Sequence, residues 1–166
     1  MNKNNRAFIC GVKGLNLTQK EKIFLKKYKP WGVILFSRNI KSIKQVQNLT
    51  NSIKKIFNNK YYPILIDEEG GRVSRLKKIF TNTSFNSDYF GKLYNKNRKL
   101  FNLYFYLHVK QVSYLLNLLG ININTVPVLD LKHPRSHKVI GNRAYSSNAR
   151  IVSTIGDICL FMYKKF

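Results

Sequence analysis

Acidic residues are scarce in this sequence. Seven Asp and Glu stand against thirty Lys and Arg, a formal charge of +23 over 166 residues. Cysteine is almost absent: Cys10 and Cys159 give neither a disulfide framework nor a metal-ligand spacing and read as buried thiols. No apolar run approaches the ~20 residues of a membrane span. The few apolar residues between Arg6 and Gly11 also fall short of the ~7–15 of a signal-peptide core, so the chain reads as cytoplasmic. Missing too are a long basic block, a zinc-finger spacing and the aromatic-flanked glycine motif of an RNA-binding sheet. The charge therefore does not indicate a specific nucleic-acid partner. The lysines are scattered among Asn, Ile, Tyr and Phe, the mixture an AT-rich genome writes at permissive positions, and nonspecific adhesion at low salt is the expected result.

What is present is 44% hydrophobic residues, enough for a core in a single domain spanning residues 1–166. Three of the seven acids sit in a row. Ile64-Leu65-Ile66 stops at Asp67-Glu68-Glu69, followed by Gly70-Gly71 and then Arg72 and Arg75. The apolar run reads as a buried strand, which puts Asp67 at its carboxyl end, where α/β folds place binding groups. The glycines allow positive φ or close approach to a ligand, and the arginines can neutralise the carboxylates or fork onto a polar substrate. A surface turn with compensating ion pairs is the plainer alternative.

Taken in order, 7–11 reads as a strand and Thr18-Gln19-Lys20-Glu21 as a capping box opening a helix to about Lys27, with Ile23 and Phe24 inward. Residues 32–36 form a second strand, with a polar loop at Ser37-Arg38-Asn39. Ser42-Ile43-Lys44-Gln45 is a second capping box, opening a helix with Ile43, Val46, Leu49, Ile53, Ile56 and Phe57 on one face. Residues 63–66 make the third strand, and 75–96 read as a long loop. A helix from about Arg98 to Leu119, rich in core aromatics, stops at Gly120. A fourth strand spans 121–128, and Asn148 caps a last helix with Ile151, Ile155, Ile158 and Met162 on one face. Four strand–helix units in succession predict an α/β parallel sheet with right-handed crossovers. A full (β/α)8 TIM-type barrel takes ~250 residues, so the expectation is its N-terminal half, truncated after about four βα units.

The run Asp67-Glu68-Glu69-Gly70-Gly71-Arg72-Val73-Ser74-Arg75 resembles the D-x-E-G-G-R-V-x-R signature of family 3 glycoside hydrolases. Three further stretches fit in order: Gly32 to Asn39, Gly120-Ile121-Asn122 through Pro127-Val128-Leu129-Asp130, and Val139-Ile140-Gly141-Asn142-Arg143-Ala144-Tyr145. Within that family the chain is most similar to bacterial β-N-acetylhexosaminidases of cell-wall recycling. The resemblance implies a retaining glycosidase acting on terminal N-acetylglucosamine of muropeptides or related glycans, without a metal or other cofactor. It implies substrate binding by Asp67, Arg75 and Arg143, with Glu69, Arg72 and Asp130 in supporting ion pairs. Ala144 departs from the serine the family commonly has there.

Retaining hydrolysis needs a nucleophile and an acid/base across the scissile bond. In the family these are an aspartate late in the barrel and a histidine on the loop after the fifth strand, at whose head a lysine–histidine pair in K-H-F-P-G-H-G helps hold the sugar. Both would lie beyond Phe166, so no catalytic residue is expected in this chain. It is expected to be inactive alone unless a second polypeptide supplies the other half-barrel. Lys132-His133-Pro134-Arg135-Ser136-His137 imitates the loop's spacing, but it precedes Arg143 where the family motif follows that arginine, and it reads as a solvated loop. Asp67 and Glu69, two places apart on one strand, cannot flank a bond as a catalytic pair. Two other readings are a non-catalytic remnant of a split or decaying gene, aggregating or dimerising through open sheet edges, and a basic sugar- or nucleic-acid-binding module.

Overall fold

A computed structural model of the chain describes residues 6–133 and 139–166, which form two compact units. The first comprises residues up to Asp67 together with 75–81 and 116–125, and it contains the whole sheet. Strands β1 (Arg6–Gly11), β2 (Pro30–Leu35), β3 (Ile64–Ile66) and β4 (Ile123–Asn124) lie in the order 1-2-3-4, every neighbour parallel. Val33 pairs with Ile64, and Ile66 with Asn124. Ile64, Leu65 and Ile66 are all buried, the continuous apolar run of a central parallel strand.

Between β1 and β2 runs α1 (Gln19–Tyr28), and the Thr18–Glu21 capping box is present in full. Its inward face differs from the expectation. Leu25 is buried, with Glu21 and Tyr28 half-buried on the same side, whereas Ile23 is 57% and Phe24 41% exposed. At about 100° per residue, Phe24 lies a quarter-turn from Leu25 and Ile23 more than half a turn. Phe24 packs edge-on against Phe8 and beside Tyr28 instead.

Helix α2 (Ile43–Ile56) follows β2 and buries Val46, Leu49, Thr50 and Ile53. Ile43, expected on that face, is exposed at the first turn. Ser42 accepts from the Gln45 N–H, but the second half of the capping box is diverted. Gln45 Oε1 takes the Lys41 N–H, and its Nε2 donates to the Leu15 and Asn39 carbonyls. Asn39, fully buried, ties together the segments after β1 and β2: it accepts from the Phe36 N–H and donates to the carbonyls of Val12 and Gly14. Asn122 does the same at the sheet's other end, accepting from Ile64 N–H and donating to the carbonyls of Tyr61 and Tyr62. The fourth strand is shorter than 121–128 because ladder pairing with β3 is confined to Leu65 and Ile66.

The second unit comprises 68–74, 82–115 and 126–166. It holds α3 (Ser87–Lys96), most of α4 (Arg98–Leu118) and α5 (Ala149–Lys165). Helix α3 lies inside the stretch expected to be loop. Asn86 caps it through the Tyr89 N–H, and Phe90 and Tyr94 enter the aromatic core with Phe101 and Phe105 of α4. Of the aromatics of α4 expected in the core, Tyr104 is exposed. Asn148 caps α5 by accepting from the Arg150 and Ile151 N–H groups, and Ile155 and Cys159 complete this core. Cys159 is buried as expected, whereas Cys10 is only half-buried; both thiols are free.

Gly91 explains why α3 is hard to read from sequence. Glycine usually argues against a helix interior, but a Cβ here would stand 1.7 Å from the Tyr145 carbonyl oxygen. The helix passes too close to that backbone for any side chain. Gly91→Ala is therefore expected to cost at least about 3 kcal/mol, the upper range for overpacking, read as a lowered urea midpoint.

Candidate active site

In the first unit, Asp67 follows the last residue of β3, at the carboxyl end of the sheet. Its Oδ1 accepts from the Thr125 hydroxyl at 2.6 Å and its Oδ2 from Arg75 Nη2 at 3.2 Å. Thr125 is in place because its backbone N–H bonds to the Ile66 carbonyl, continuing the β3–β4 ladder by one residue. The Arg75 guanidinium also lies 5.8 Å from the centre of the Phe36 ring, against which Arg38 packs at 4.6 Å. The arrangement holds a half-buried carboxylate beside a guanidinium and a hydroxyl. Such a group can accept hydrogen bonds from the hydroxyls of a sugar.

In the second unit, Glu69 to Val73 form a tight turn closed by the Glu69 N–H donating to the Val73 carbonyl. Gly70 has φ +79° and Gly71 φ +60°, and a Cβ on Gly70 would lie 2.2 Å from the Phe85 carbonyl oxygen. Both the left-handed backbone and the space demand glycine. The turn aims three side chains separately. Glu68, buried, accepts from Asn82 Nδ2. Arg72 donates to Asn142 Oδ1 and to the Val139 and Ile140 carbonyls. Glu69 receives a forked pair from Arg143, Nε to Oε2 at 2.8 Å and Nη2 to Oε1 at 2.7 Å. With side chains 8% and 23% exposed, that pair is more enclosed than the Asp67–Arg75 contact, whose side chains are both 26% exposed.

The structure thus places Asp67 with Arg75, Glu69 with Arg143, and Arg72 on the 139–142 segment. Asp130 stands apart, exposed and in no ion pair among the described residues. Of the Lys132–His137 stretch, Lys132 pairs with Asp88 and His133 is exposed, while 134–137 lie outside the described residues. Thr125, Asn82 and Asn142 are further polar partners of the site that only the structure brings in. Asn142 neighbours Arg143 in a recognised motif, but Thr125 and Asn82 gave no signal beyond their polarity. Among the described residues no three His, Cys, Asp or Glu gather to hold a metal, and no helix is long and apolar enough to cross a membrane.

Behind the turn lies a cavity of about 20 Å³, room for about one water, lined by Glu68, Glu69, His108, Tyr145, Cys159 and Pro127 among others. Burial pushes the Cys159 thiol up to about 12 and the Tyr145 hydroxyl far above its usual range. It pushes His108, packed near the rings of Phe85 and Phe90, down from 6.5 to about 4. His108 is neutral in the fold at neutral pH.

Comparison with known proteins now identifies the family. Residues 7–160 match the model of the glycosyl hydrolase family 3 N-terminal domain, and the chain belongs to that family. It is 32% identical over 148 residues to a beta-hexosaminidase of Thioalkalivibrio sulfidiphilus, covering 87% of this chain and 41% of that protein. A beta-hexosaminidase of Hydrogenovibrio crunogenus is 39% identical over 130 residues, 75% of this chain and 34% of the relative. Among solved structures, NagZ from Neisseria gonorrhoeae in complex with N-trifluoroacetyl-D-glucosamine superposes with a TM-score of 0.87 at 27% identity, over 98% of this chain and 48% of that one. A family 3 β-N-acetylglucosaminidase from Paenibacillus sp. gives 0.84 at 26% identity, over 98% and 30%. The fold is the α/β architecture of the family's N-terminal, TIM-barrel-like domain. This chain spans less than half the length of these relatives.

Arg143→Ala leaves the enclosed Glu69 carboxylate without its fork and should cost about 1.5–3 kcal/mol. In a double-mutant cycle, Arg143→Ala combined with Glu69→Gln should cost less than the sum of the two single changes, because the fork couples them. For His108 the unfolded chain binds a proton below about 6.5 that the folded chain refuses until about 4. Stability should therefore fall as pH drops through that window, by up to about 1.4 kcal/mol per unit. His108→Leu should flatten this slope in urea titrations at pH 7, 6 and 5.

Proposed function

We propose that residues 1–166 form one partial barrel domain carrying the sugar-binding side of a β-N-acetylglucosaminidase. The substrate class is a glycan or muropeptide ending in N-acetylglucosamine, the setting is cytoplasmic cell-wall recycling, and no cofactor takes part. The observation that carries the reading is Asp67, set at the end of β3 and held by Thr125 and Arg75. Its support is the family match together with the likeness to a NagZ bound to an N-acylated glucosamine.

In this reading the Asp67 carboxylate accepts hydrogen bonds from sugar hydroxyls while Arg75 and Arg143 bind substrate. Glu69 holds the Arg143 fork in one orientation, and Arg72 steadies the segment before it. The nucleophile and the acid/base are not among these residues, so the 166-residue chain by itself binds sugar without cleaving it. A second polypeptide supplying the other half-barrel would restore turnover.

The test is a titration of the 166-residue chain with N-acetylglucosamine, followed by NMR shifts, alongside an assay with a chromogenic phenyl N-acetylglucosaminide. Saturable binding lost at least tenfold in Asp67→Ala, with no phenol release above a heat-killed control, is the expected result. Absence of saturable binding would overturn the sugar-binding reading, and release of phenol would overturn the claim of catalytic incompleteness.

A further inference from the structure

We propose that helix α4 is a self-association surface, pairing with α4 of a second copy of this chain. In an ordinary surface helix the outward face is polar. Here the inward face is Phe101, Phe105, Val109 and Val112, and the opposite face is apolar as well. Leu100, Tyr104, Leu107, Gln111 and Tyr114 follow one another at intervals of four, three, four and three residues, with Leu103 at their flank. Leu103 is 51%, Leu107 44% and Tyr114 71% exposed.

The spacing selects the partner. A 4-3-4-3 alternation averages 3.5 residues per turn, the repeat that keeps a seam turned toward another helix. Burying this stripe against a copy of itself would remove on the order of 1,000 Å² from water, the scale at which protein pairing becomes specific. Gln111, in the middle of the seam, argues for a helix over a lipid surface. Its amide both donates and accepts, so it can bond to its own counterpart across a two-fold axis. In lipid it would be left unsatisfied. A single polar residue in an apolar seam also restricts register, at some cost in affinity.

Charge sets the conditions. Each copy carries +23, and Lys99 and Lys110 lie exposed beside the seam. Like charges oppose pairing, so association should tighten as salt screens them, whereas adhesion to an anionic surface would weaken.

The experiment is sedimentation velocity of the 166-residue chain from about 5 to 200 μM, at about 0.05 and 0.5 M salt. Twice the monomer mass, favoured at the higher salt, is expected. The double change Leu107→Lys with Tyr114→Lys should return the monomer with an unaltered circular dichroism spectrum, both side chains being exposed. Gln111→Leu should tighten pairing at least tenfold. A monomer at every concentration would overturn the proposal. So would a dimer untouched by the lysine pair, indicating sheet-edge or other pairing, or a Gln111→Leu variant that pairs no more tightly. Binding of the chain to phosphatidylglycerol vesicles in place of self-pairing would assign the stripe to a membrane and overturn it too.

Discussion

Three consecutive carboxylates impose the constraint that orders this molecule. Asp67, Glu68 and Glu69 would repel one another if left together, and burying any of them unpaired would be costly. Each is given its own partner from a different part of the chain. Asp67 takes Thr125 and Arg75, Glu68 takes Asn82, and Glu69 takes the Arg143 fork. Partners up to 74 residues away are thereby tied to one short segment. The Gly70-Gly71 turn makes this separation possible, since its left-handed backbone reverses the chain directly after the acids.

The abundance of positive charge has little part in that arrangement. Most lysines are solvated, and the informative charges are the few acids with their arginines. A net charge of +23 invites a nucleic-acid reading, yet the family match places the chain with the glycosyl hydrolases. Scarcity made the acids legible: three of seven in a row is a pattern that composition alone does not produce.

Local signals were reliable where one interaction decides the outcome within a few residues. The Thr18–Glu21 box, the Asn148 cap and the buried strand before Asp67 all correspond to bonds between near neighbours or to uninterrupted apolar runs. They misled where a distant group intervened. Gln45 serves the Leu15 and Asn39 carbonyls as well as its own helix end, and Ile23 and Phe24 lose the inward face to Leu25. Helix α3 looks like loop in sequence because its glycine and its polar flanks resemble breakers, whereas Gly91 is there to admit the Tyr145 carbonyl.

The sequence by itself determined the alternation of strands and helices, the family, and the identity of Asp67, Glu69, Arg72, Arg75, Asp130 and Arg143 as candidates. These follow from periodicity and motif, both properties of residues close together in the chain. Only the tertiary structure decided which arginine meets which acid, that Thr125 and Asn82 hold the carboxylates, and that Asp130 makes no ion pair among the described residues. Those outcomes depend on strand register and on backbone approaches between segments tens of residues apart. A one-dimensional pattern does not encode such distances until the chain has packed.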